Sequence, residues 1–152
     1  MQQKNSKKWL MEKCRAKGLK VTPQRLEIHR VLNESGDHPT AEMVYKRVRK
    51  KLPGVSADTV NRTLLMLADI GAAYIVEGTG HVRRFDAHTG KHQHLRCVKC
   101  GRIIDFHHEP FDMLELPDEI SSGFEVTRST VFFEGVCGQC QSGGIADERS
   151  EQ

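Results

Sequence analysis

The chain has 152 residues, of which 38% are hydrophobic and 28% are charged, and its formal net charge is +3. This length holds one ordinary domain or two small ones. No apolar run approaches membrane-spanning length, and the basic start is not followed by the apolar core of a signal peptide, which argues against membrane-spanning and secreted classes. We therefore expect a cytoplasmic protein whose cysteines stay reduced and available to metal.

Four helices are predicted in the first half, each marked by a start or stop signal. Hydroxyl side chains that suit helix N-caps stand at Thr22 (followed by Pro23), Thr40 and Ser56. Together with apolar residues at helical spacing, these signals predict helices from Lys7 to near Gly18, from Pro23 to before Gly36, from Thr40 to Pro53-Gly54, and over residues 57–70.

A β-hairpin is predicted after the fourth helix, from strand-like runs at residues 73–77 and 81–85 around Gly78-Thr79-Gly80. Helices followed by a hairpin are typical of winged helix-turn-helix proteins, whose second turn helix enters the DNA major groove. The fourth helix begins with Ser56, Asp58, Thr59, Asn61 and Arg62, and the wing carries Arg83 and Arg84. Asn and Arg read base edges, and the wing arginines suit phosphates.

The second half is predicted to form a small α/β domain. Short strands are predicted over residues 94–97 and 102–106, and a long strand over 124–136. A short amphipathic helix is predicted over 111–120, broken by Pro117 within or near its end. We predict an α+β protein with a winged-helix DNA-binding domain (1–86), a zinc-containing dimerisation and metal-sensing domain (87–141) and a disordered tail (142–152). So small a sheet needs zinc and a partner subunit, so we expect a homodimer.

Four of the five cysteines form two Cys-x-x-Cys pairs, Cys97 with Cys100 and Cys137 with Cys140. Two such pairs complete a tetrahedral sulfur shell for structural Zn(II). A disulfide, a redox dithiol and an iron–sulfur cluster are the alternatives, and the lack of further clustered cysteines favours zinc. A structural zinc site is closed, so the function must lie elsewhere.

Charge divides the chain into two unlike halves. Residues 1–86 carry 17 basic and 9 acidic side chains, whereas residues 87–152 carry 6 and 11. The first half therefore suits a polyanion such as double-stranded DNA, although a solvated basic surface is common.

A second set of potential ligands is His38, Asp86, His92, His94 and Asp105. Nitrogen and oxygen ligands suit Fe(II), Mn(II) or Zn(II) and disfavour Cu(I). Because two members lie in or at the edge of the first domain, a metal that held all five would fix the angle between the domains. In a dimer it would also fix the spacing of two recognition helices. Taken singly, each residue is better explained as an ordinary surface side chain, and only the set as a whole points to a metal.

These motifs resemble the ferric uptake regulator family of bacterial metal-dependent repressors. The resemblance is carried, in chain order, by GLKVTPQR (18–25), HPTAE (38–42), TVNRTL (59–64), RFD (84–86), HxHxxCxxCG (92–101) and GVCxxC (135–140). It implies an N-terminal winged helix, a C-terminal α/β dimerisation domain, structural zinc at the four paired cysteines and regulatory Fe(II) or Mn(II) at the His/Asp set. It also implies that Lys20 reaches the minor groove.

Within that family, Asp at positions 86 and 105 looks like the peroxide-sensing repressors, because iron sensors usually have Glu there. In those repressors bound Fe(II) reacts with peroxide and a ligand histidine is oxidised; His38 and His92 match the oxidised positions. The additional metal site of many iron sensors looks incomplete, since its positions hold Lys91, Gln93, Asp112 and Ser129. Asn61 stands where the family usually has Tyr, which predicts a different operator preference.

Other functions are compatible with parts of the pattern. Within the family, the alternative is an uptake repressor that responds to ferrous iron, zinc or manganese. Outside it, an open His/Asp metal site would suit a hydrolase, but no phosphate loop or added nucleophile accompanies it, so we expect no enzyme. A thiol redox protein would need a βαβ context that the predicted elements lack.

Overall fold

A computed structural model describes residues 7–143, and residue contacts divide the chain into two compact units, Met1–Gly90 and Lys91–Gln152. Residues 144–152 of the predicted disordered tail lie outside the described residues. Among the helices within residues 7–143, none is long and apolar enough to cross a membrane.

The first unit contains four helices, α1 (Lys7–Ala16), α2 (Pro23–Asn33), α3 (Ala41–Val48) and α4 (Ala57–Asp69). The predicted caps are present, because the hydroxyls of Thr22, Thr40 and Ser56 each accept a hydrogen bond from the backbone N–H three residues on. α3 ends before the predicted stop at Pro53. The N–H groups of Lys50 and Lys51 bond three residues back and tighten the turn that follows the helix.

The apolar faces of these helices meet in one continuous core. Ile28 and Leu32 from α2, Val44 from α3, and Leu64 from α4 have no exposed surface. Leu10 and Cys14 of α1 and Phe85 of the hairpin belong to the same cluster, which reaches from Leu10 to Ala87. The first unit therefore builds its own hydrophobic core.

The hairpin of the first unit is shorter than predicted. Its strands are β1 (Tyr74–Ile75) and β2 (Phe85–Asp86), paired antiparallel with Ile75 opposite Phe85. Gly78 and Gly80 both have positive φ, 73° and 67°, so the connection turns more than once and does not continue the ladder. The segment that leads into β2 is not held by apolar packing either, since Val82 is 60% exposed.

The second unit is built on a three-stranded sheet. β3 (Gln93–Cys97) lies in the middle, with β4 (Ile103–Phe106) antiparallel on one side and β5 (Phe132–Gly135) parallel on the other. The predicted strand over 124–136 is wrong in length, because only residues 132–135 form a strand. β3 has just five residues to offer as a partner, so the apolar alternation before Phe132 finds no ladder on this sheet.

The predicted helix over 111–120 is also wrong. Two single-turn helices stand there, α5 (Glu109–Asp112) and α6 (Asp118–Ser121), and α7 (Gly138–Gln141) follows β5. Pro117 is the N-cap of α6 with ψ of 143°, and a proline disfavours helical backbone at the residue before it. The apolar spacing was correct for a helix, but the proline divides it.

Candidate metal centres and nucleic-acid interface

The two Cys-x-x-Cys pairs converge at the end of the second unit's sheet. Cys97 ends β3, Cys100 lies in the turn before β4, and Cys137 and Cys140 bracket the start of α7. Their four sulfur atoms all lie within 4.8 Å of one another, and Cys100 Sγ is 3.8 Å from Cys137 Sγ. Tetrahedral ligands ~2.3 Å from one Zn(II) stand ~3.8 Å apart, so the spacing fits a single ion. All five cysteines, which lie within the described residues, are free of disulfides.

The backbone around this cluster favours thiolates unevenly. Backbone N–H groups, chiefly that of Cys100, lower the pKa of the Cys97 thiol to about 6. Hydrogen bonding with the Cys137 thiol and burial raise the pKa of Cys140 to about 12. One thiolate therefore forms readily near neutral pH, whereas four together need a cation to offset their mutual repulsion.

Three members of the His/Asp set lie together in the second unit. His92 directly precedes β3, His94 lies on it, and Asp105 is opposite His94 on β4. The Nε2 atoms of the two histidines are 3.1 Å apart, and Asp105 Oδ1 is 3.2 Å from His94 Nε2 and 3.7 Å from His92 Nε2. Ligand atoms ~2.1 Å from a metal at adjacent octahedral positions are ~3 Å apart, so this nitrogen and oxygen set fits one face of such a site.

The other two members lie together in the first unit. His38 precedes α3 and Asp86 ends β2; both are buried, and His38 Nε2 is 3.7 Å from Asp86 Oδ2. The second carboxylate oxygen of Asp86 accepts a hydrogen bond from the backbone N–H of His88 at 2.8 Å. That bond orients the carboxylate toward the imidazole. With two ligand atoms, the pair is too small to be a complete metal site by itself.

The predicted DNA-binding residues differ in how far their side chains are already engaged. Ser56 Oγ caps α4 and donates to Thr59 Oγ1 at 2.9 Å, so both hydroxyls serve the helix start. Asn61 is exposed on the first turns of α4. Arg62, with a side chain 79% exposed, bonds Asp58 through Nε at 2.9 Å, which holds its guanidinium on the outer face of the helix.

Lys20 and the two wing arginines complete the predicted DNA-binding set. Lys20 is exposed on the loop before α2, where its carbonyl accepts a hydrogen bond from Arg25. Arg83 is exposed, whereas Arg84 is half-buried and donates to the His38 carbonyl at 3.2 Å. Sequence alone assigned both arginines to phosphate and missed this contact, which joins residues 46 positions apart.

Of the four positions that the resemblance assigns to an additional metal site in iron sensors, Lys91, Gln93 and Asp112 form a hydrogen-bonded group. Gln93 Nε2 donates to Asp112 Oδ1 at 2.8 Å, and Lys91 Nζ donates to the Asp112 carbonyl at 3.1 Å. His107 Nε2 lies 2.8 Å from the other carboxylate oxygen, a contact that no sequence pattern predicted. The Asp112 carboxylate is thus held by an amide and an imidazole.

Comparison with known proteins places this geometry in context. The sequence profile of the ferric uptake regulator family matches residues 16–133. A curated protein of Staphylococcus epidermidis, the peroxide-responsive repressor PerR, is 36% identical over 130 residues, or 86% of this chain and 87% of its own length. The Staphylococcus aureus protein of the same name is 34% identical over 127 residues, covering 84% of this chain and 86% of its own.

Solved structures give the same answer. The ferric uptake regulator of Helicobacter pylori, described as having three functional metal-binding sites, superposes with a TM-score of 0.70 at 25% identity, covering 94% of this chain and 93% of its own. The Campylobacter jejuni peroxide stress regulator superposes with a TM-score of 0.64 at 25% identity, covering 89% of this chain and 99% of its own. The α+β architecture of a winged helix followed by a small α/β domain with a cysteine cluster is thereby confirmed.

Proposed function

The chain belongs to the ferric uptake regulator family, and we propose that it is a homodimeric, metal-dependent repressor that releases operator DNA when peroxide oxidises a metal-ligand histidine. The observation that carries the proposal is the compact, sulfur-free set of His92, His94 and Asp105. Such a set binds Fe(II) and leaves oxidisable imidazoles in direct contact with it. The curated relatives are named peroxide-responsive repressors, which supports peroxide as the signal.

We assign the regulatory ion, Fe(II) or Mn(II), to five ligands: His38, Asp86, His92, His94 and Asp105. The first two lie together in the first unit and the last three lie together in the second unit, and neither group alone completes an octahedral shell. One ion that used both would hold the two units in a single arrangement. That arrangement would set the spacing of the recognition helices in a dimer. Structural zinc would occupy the four paired cysteines.

Fe(II) would supply the one-electron reduction of hydrogen peroxide beside the imidazoles. The net change on the protein is the insertion of one peroxide oxygen into a ring C–H of His38 or His92, with release of one water. The oxidised ring becomes a cyclic urea whose two nitrogens both carry protons, so neither has a lone pair for the metal. The ligand set then loses a donor, and the metal-held arrangement is lost.

Exposed apolar surface in the second unit supports the homodimer. Phe132 and Phe133 of β5 are 41% and 43% exposed, and Phe124 is 76% exposed. A concentration of large apolar side chains on so small a unit is characteristic of a surface that another subunit covers. Dimeric binding to double-stranded operator DNA would place the repressor's action in the cytoplasm.

The deciding experiment compares two metals. The zinc-containing protein is loaded without oxygen with Fe(II) or with Mn(II), and its binding to operator-like DNA is measured before and after a small pulse of peroxide. The Fe(II) form is expected to release DNA and to gain one oxygen on the peptide that carries His38 or His92, while the Mn(II) form keeps both. Mass spectrometry of the two peptides provides the chemical readout.

Other outcomes identify the alternatives. If both forms keep their DNA after peroxide and release it only on chelation, the protein is a metal-level sensor. The likeness to the Helicobacter pylori ferric uptake regulator is consistent with that alternative. Turnover of phosphate or ester substrates by the metallated protein would instead favour a hydrolase.

His92→Ala tests the ligand assignment directly. We expect this variant to lose the metal dependence of DNA binding and to keep its zinc, because the zinc ligands are all thiols. Metal-dependent DNA binding that survives in His92→Ala would remove His92 from the regulatory site.

A further inference from the structure

The loop before α3 is fastened to the wing strand β2. Thr40 and Arg84 form an isolated antiparallel bridge, and the backbone N–H of Phe85 donates to the Pro39 carbonyl at 3.0 Å. The loop and the strand are therefore one hydrogen-bonded piece of structure. The two candidate ligands of the first unit, His38 and Asp86, stand on its two segments.

The backbone of His38 has an unusual conformation. Its φ is 49°, the only positive φ of a non-glycine residue among the described residues. Side chains other than glycine seldom adopt this left-handed region, and the following Pro39 restricts the backbone further. A residue keeps such a strained backbone conformation only when neighbouring contacts stabilise it, and residues of this kind cluster at functional sites. Here it brings the imidazole within 3.7 Å of the Asp86 carboxylate.

The guanidinium of Arg84 is one of the groups that hold this loop. Its Nη1 donates to the His38 carbonyl at 3.2 Å and lies 3.5 Å from the Asp37 carbonyl. The neighbouring Arg83 is exposed on the wing, where it is free to face solvent or DNA. The two adjacent arginines therefore have different surroundings, although the sequence predicted phosphate contacts for both.

We propose that Arg84 is a positioning residue for the regulatory metal, because it fixes the backbone of His38 in the orientation that presents the imidazole beside Asp86. The inference rests on the proposed function, since it assumes that His38 is a ligand. Groups that orient a metal ligand change metal affinity by about 10- to 100-fold when removed. Arginine suits this role because Nη1 of its planar guanidinium lies near two successive carbonyls, whereas a lysine ammonium is a more strongly hydrated point charge on a flexible stem.

The test measures Mn(II) affinity of the zinc-containing protein in two matched variants, Arg84→Ala and Arg83→Ala. We expect Arg84→Ala to weaken Mn(II) binding by about 10-fold or more and Arg83→Ala to leave it unchanged. The affinity for operator DNA, measured at saturating Mn(II), should show the opposite order: Arg83→Ala should bind DNA more weakly than Arg84→Ala. Arg84→Lys keeps the charge and should give an intermediate loss of Mn(II) affinity, which covers the case in which the alanine variant folds poorly.

A double-mutant cycle separates positioning from general stability. Because Arg84 acts through His38, Arg84→Ala should cause no further loss of Mn(II) affinity in a His38→Ala background. Equal losses in both backgrounds, or an unchanged Mn(II) affinity in Arg84→Ala, would overturn the positioning role alone. If the unaltered protein binds no Mn(II) beyond its zinc, the proposed function fails and this inference fails with it. The absorption spectrum of the Co(II)-loaded protein gives a second readout, since a displaced His38 would change the ligand field.

Discussion

Among residues 7–143, twelve large hydrophobic side chains are exposed; eleven of them lie in the second unit and one, Val82, lies in the first. The buried hydrophobic cluster shows the opposite distribution, because all of its members fall between Leu10 and Ala87. The first unit is thus stabilised in the ordinary way, by apolar helix faces packed on one another. The second unit has a three-stranded sheet, a cysteine cluster and a large share of exposed apolar side chains.

The contrast suggests that the two units obtain their stability from different sources. A unit that reads DNA benefits from a rigid scaffold that keeps its helix start and wing in place. A unit that senses a metal and pairs with a second copy can depend on those partners for its stability. Substitutions at Cys137, His29 and Arg62 test this difference between the units, with expected effects that decrease in that order.

The largest effect is expected from Cys137→Ser. Structural zinc contributes an apparent ~10 kcal/mol or more to the fold that it organises, so losing one thiolate should unfold the second unit. The single Trp, Trp9, lies in α1 and reports on the first unit alone. We expect zinc content to fall to zero and hydrogen exchange in β3 to accelerate, while the urea midpoint read by Trp9 fluorescence stays close to its original value.

Cys14 provides the matched control for that experiment. It is 1% exposed within the helical core of the first unit and has no part in the sulfur cluster. Cys14→Ala should keep full zinc occupancy and lower the Trp9 midpoint, which is the reverse pattern. A Trp9 transition that collapses with zinc loss would show that the two units unfold together and that the contrast between them is wrong.

A smaller effect is expected from His29, a polar residue buried in the first unit. Burial lowers its pKa to about 4 from the ordinary 6.5. Because the unfolded chain binds a proton more readily, stability is full above pH 6.5 and falls as pH drops toward 4, by ~2–3 kcal/mol in total. His29→Gln should flatten this dependence, as measured by Trp9 unfolding across that range; the Trp9 ring lies 6.2 Å from His29.

The exposed His81 is the control for the pH experiment. His81→Gln should leave the acid-side loss of stability as it is. A slope between pH 6.5 and 4 that survives in His29→Gln would assign the loss to other groups.

The smallest of the three effects concerns DNA alone. Arg62→Ala should weaken operator binding by about 1–3 kcal/mol, because the exposed guanidinium at the start of α4 is placed to reach bases or phosphates. Zinc content, Mn(II) affinity and dimer formation should all stay unchanged. Asp58→Ala, which removes the partner of Arg62, tests whether the ion pair aims that side chain; fluorescence anisotropy with labelled operator measures both. Unchanged affinity in Arg62→Ala would take this residue out of the DNA interface.

Much of the first unit could be predicted from sequence because its signals are local. Thr22, Thr40 and Ser56 each mark a helix start within one turn, and the structure confirms all three. The second unit was predicted less well because its boundaries depend on partners distant in sequence. The alternation before Phe132 suits a strand, but the length of β3 decides how much of it pairs.

The candidate sites also differ in how far they could be predicted from local sequence patterns. Cys-x-x-Cys spacing fixes the geometry of a metal knuckle almost by itself, so the sulfur cluster could be predicted from residues alone. The approach of Asp105 to His94 depends on the register of β3 with β4, which no local pattern reveals. The hydrogen bond from Arg84 to the His38 carbonyl depends on the wing folding back on the loop, so only the structure could separate Arg84 from Arg83.

The order of the two units along the chain has a consequence for the protein's synthesis. Every member of the first unit's core has been translated by Ala87, so this unit is able to fold while the ribosome is still producing the rest. At ~5–20 residues per second, synthesis of residues 88–143 takes roughly 3–11 s. During that interval the nascent chain carries the first unit without the cysteine cluster and without His92, His94 and Asp105. We expect the need to dimerise through the second unit to keep such unfinished chains from occupying operators.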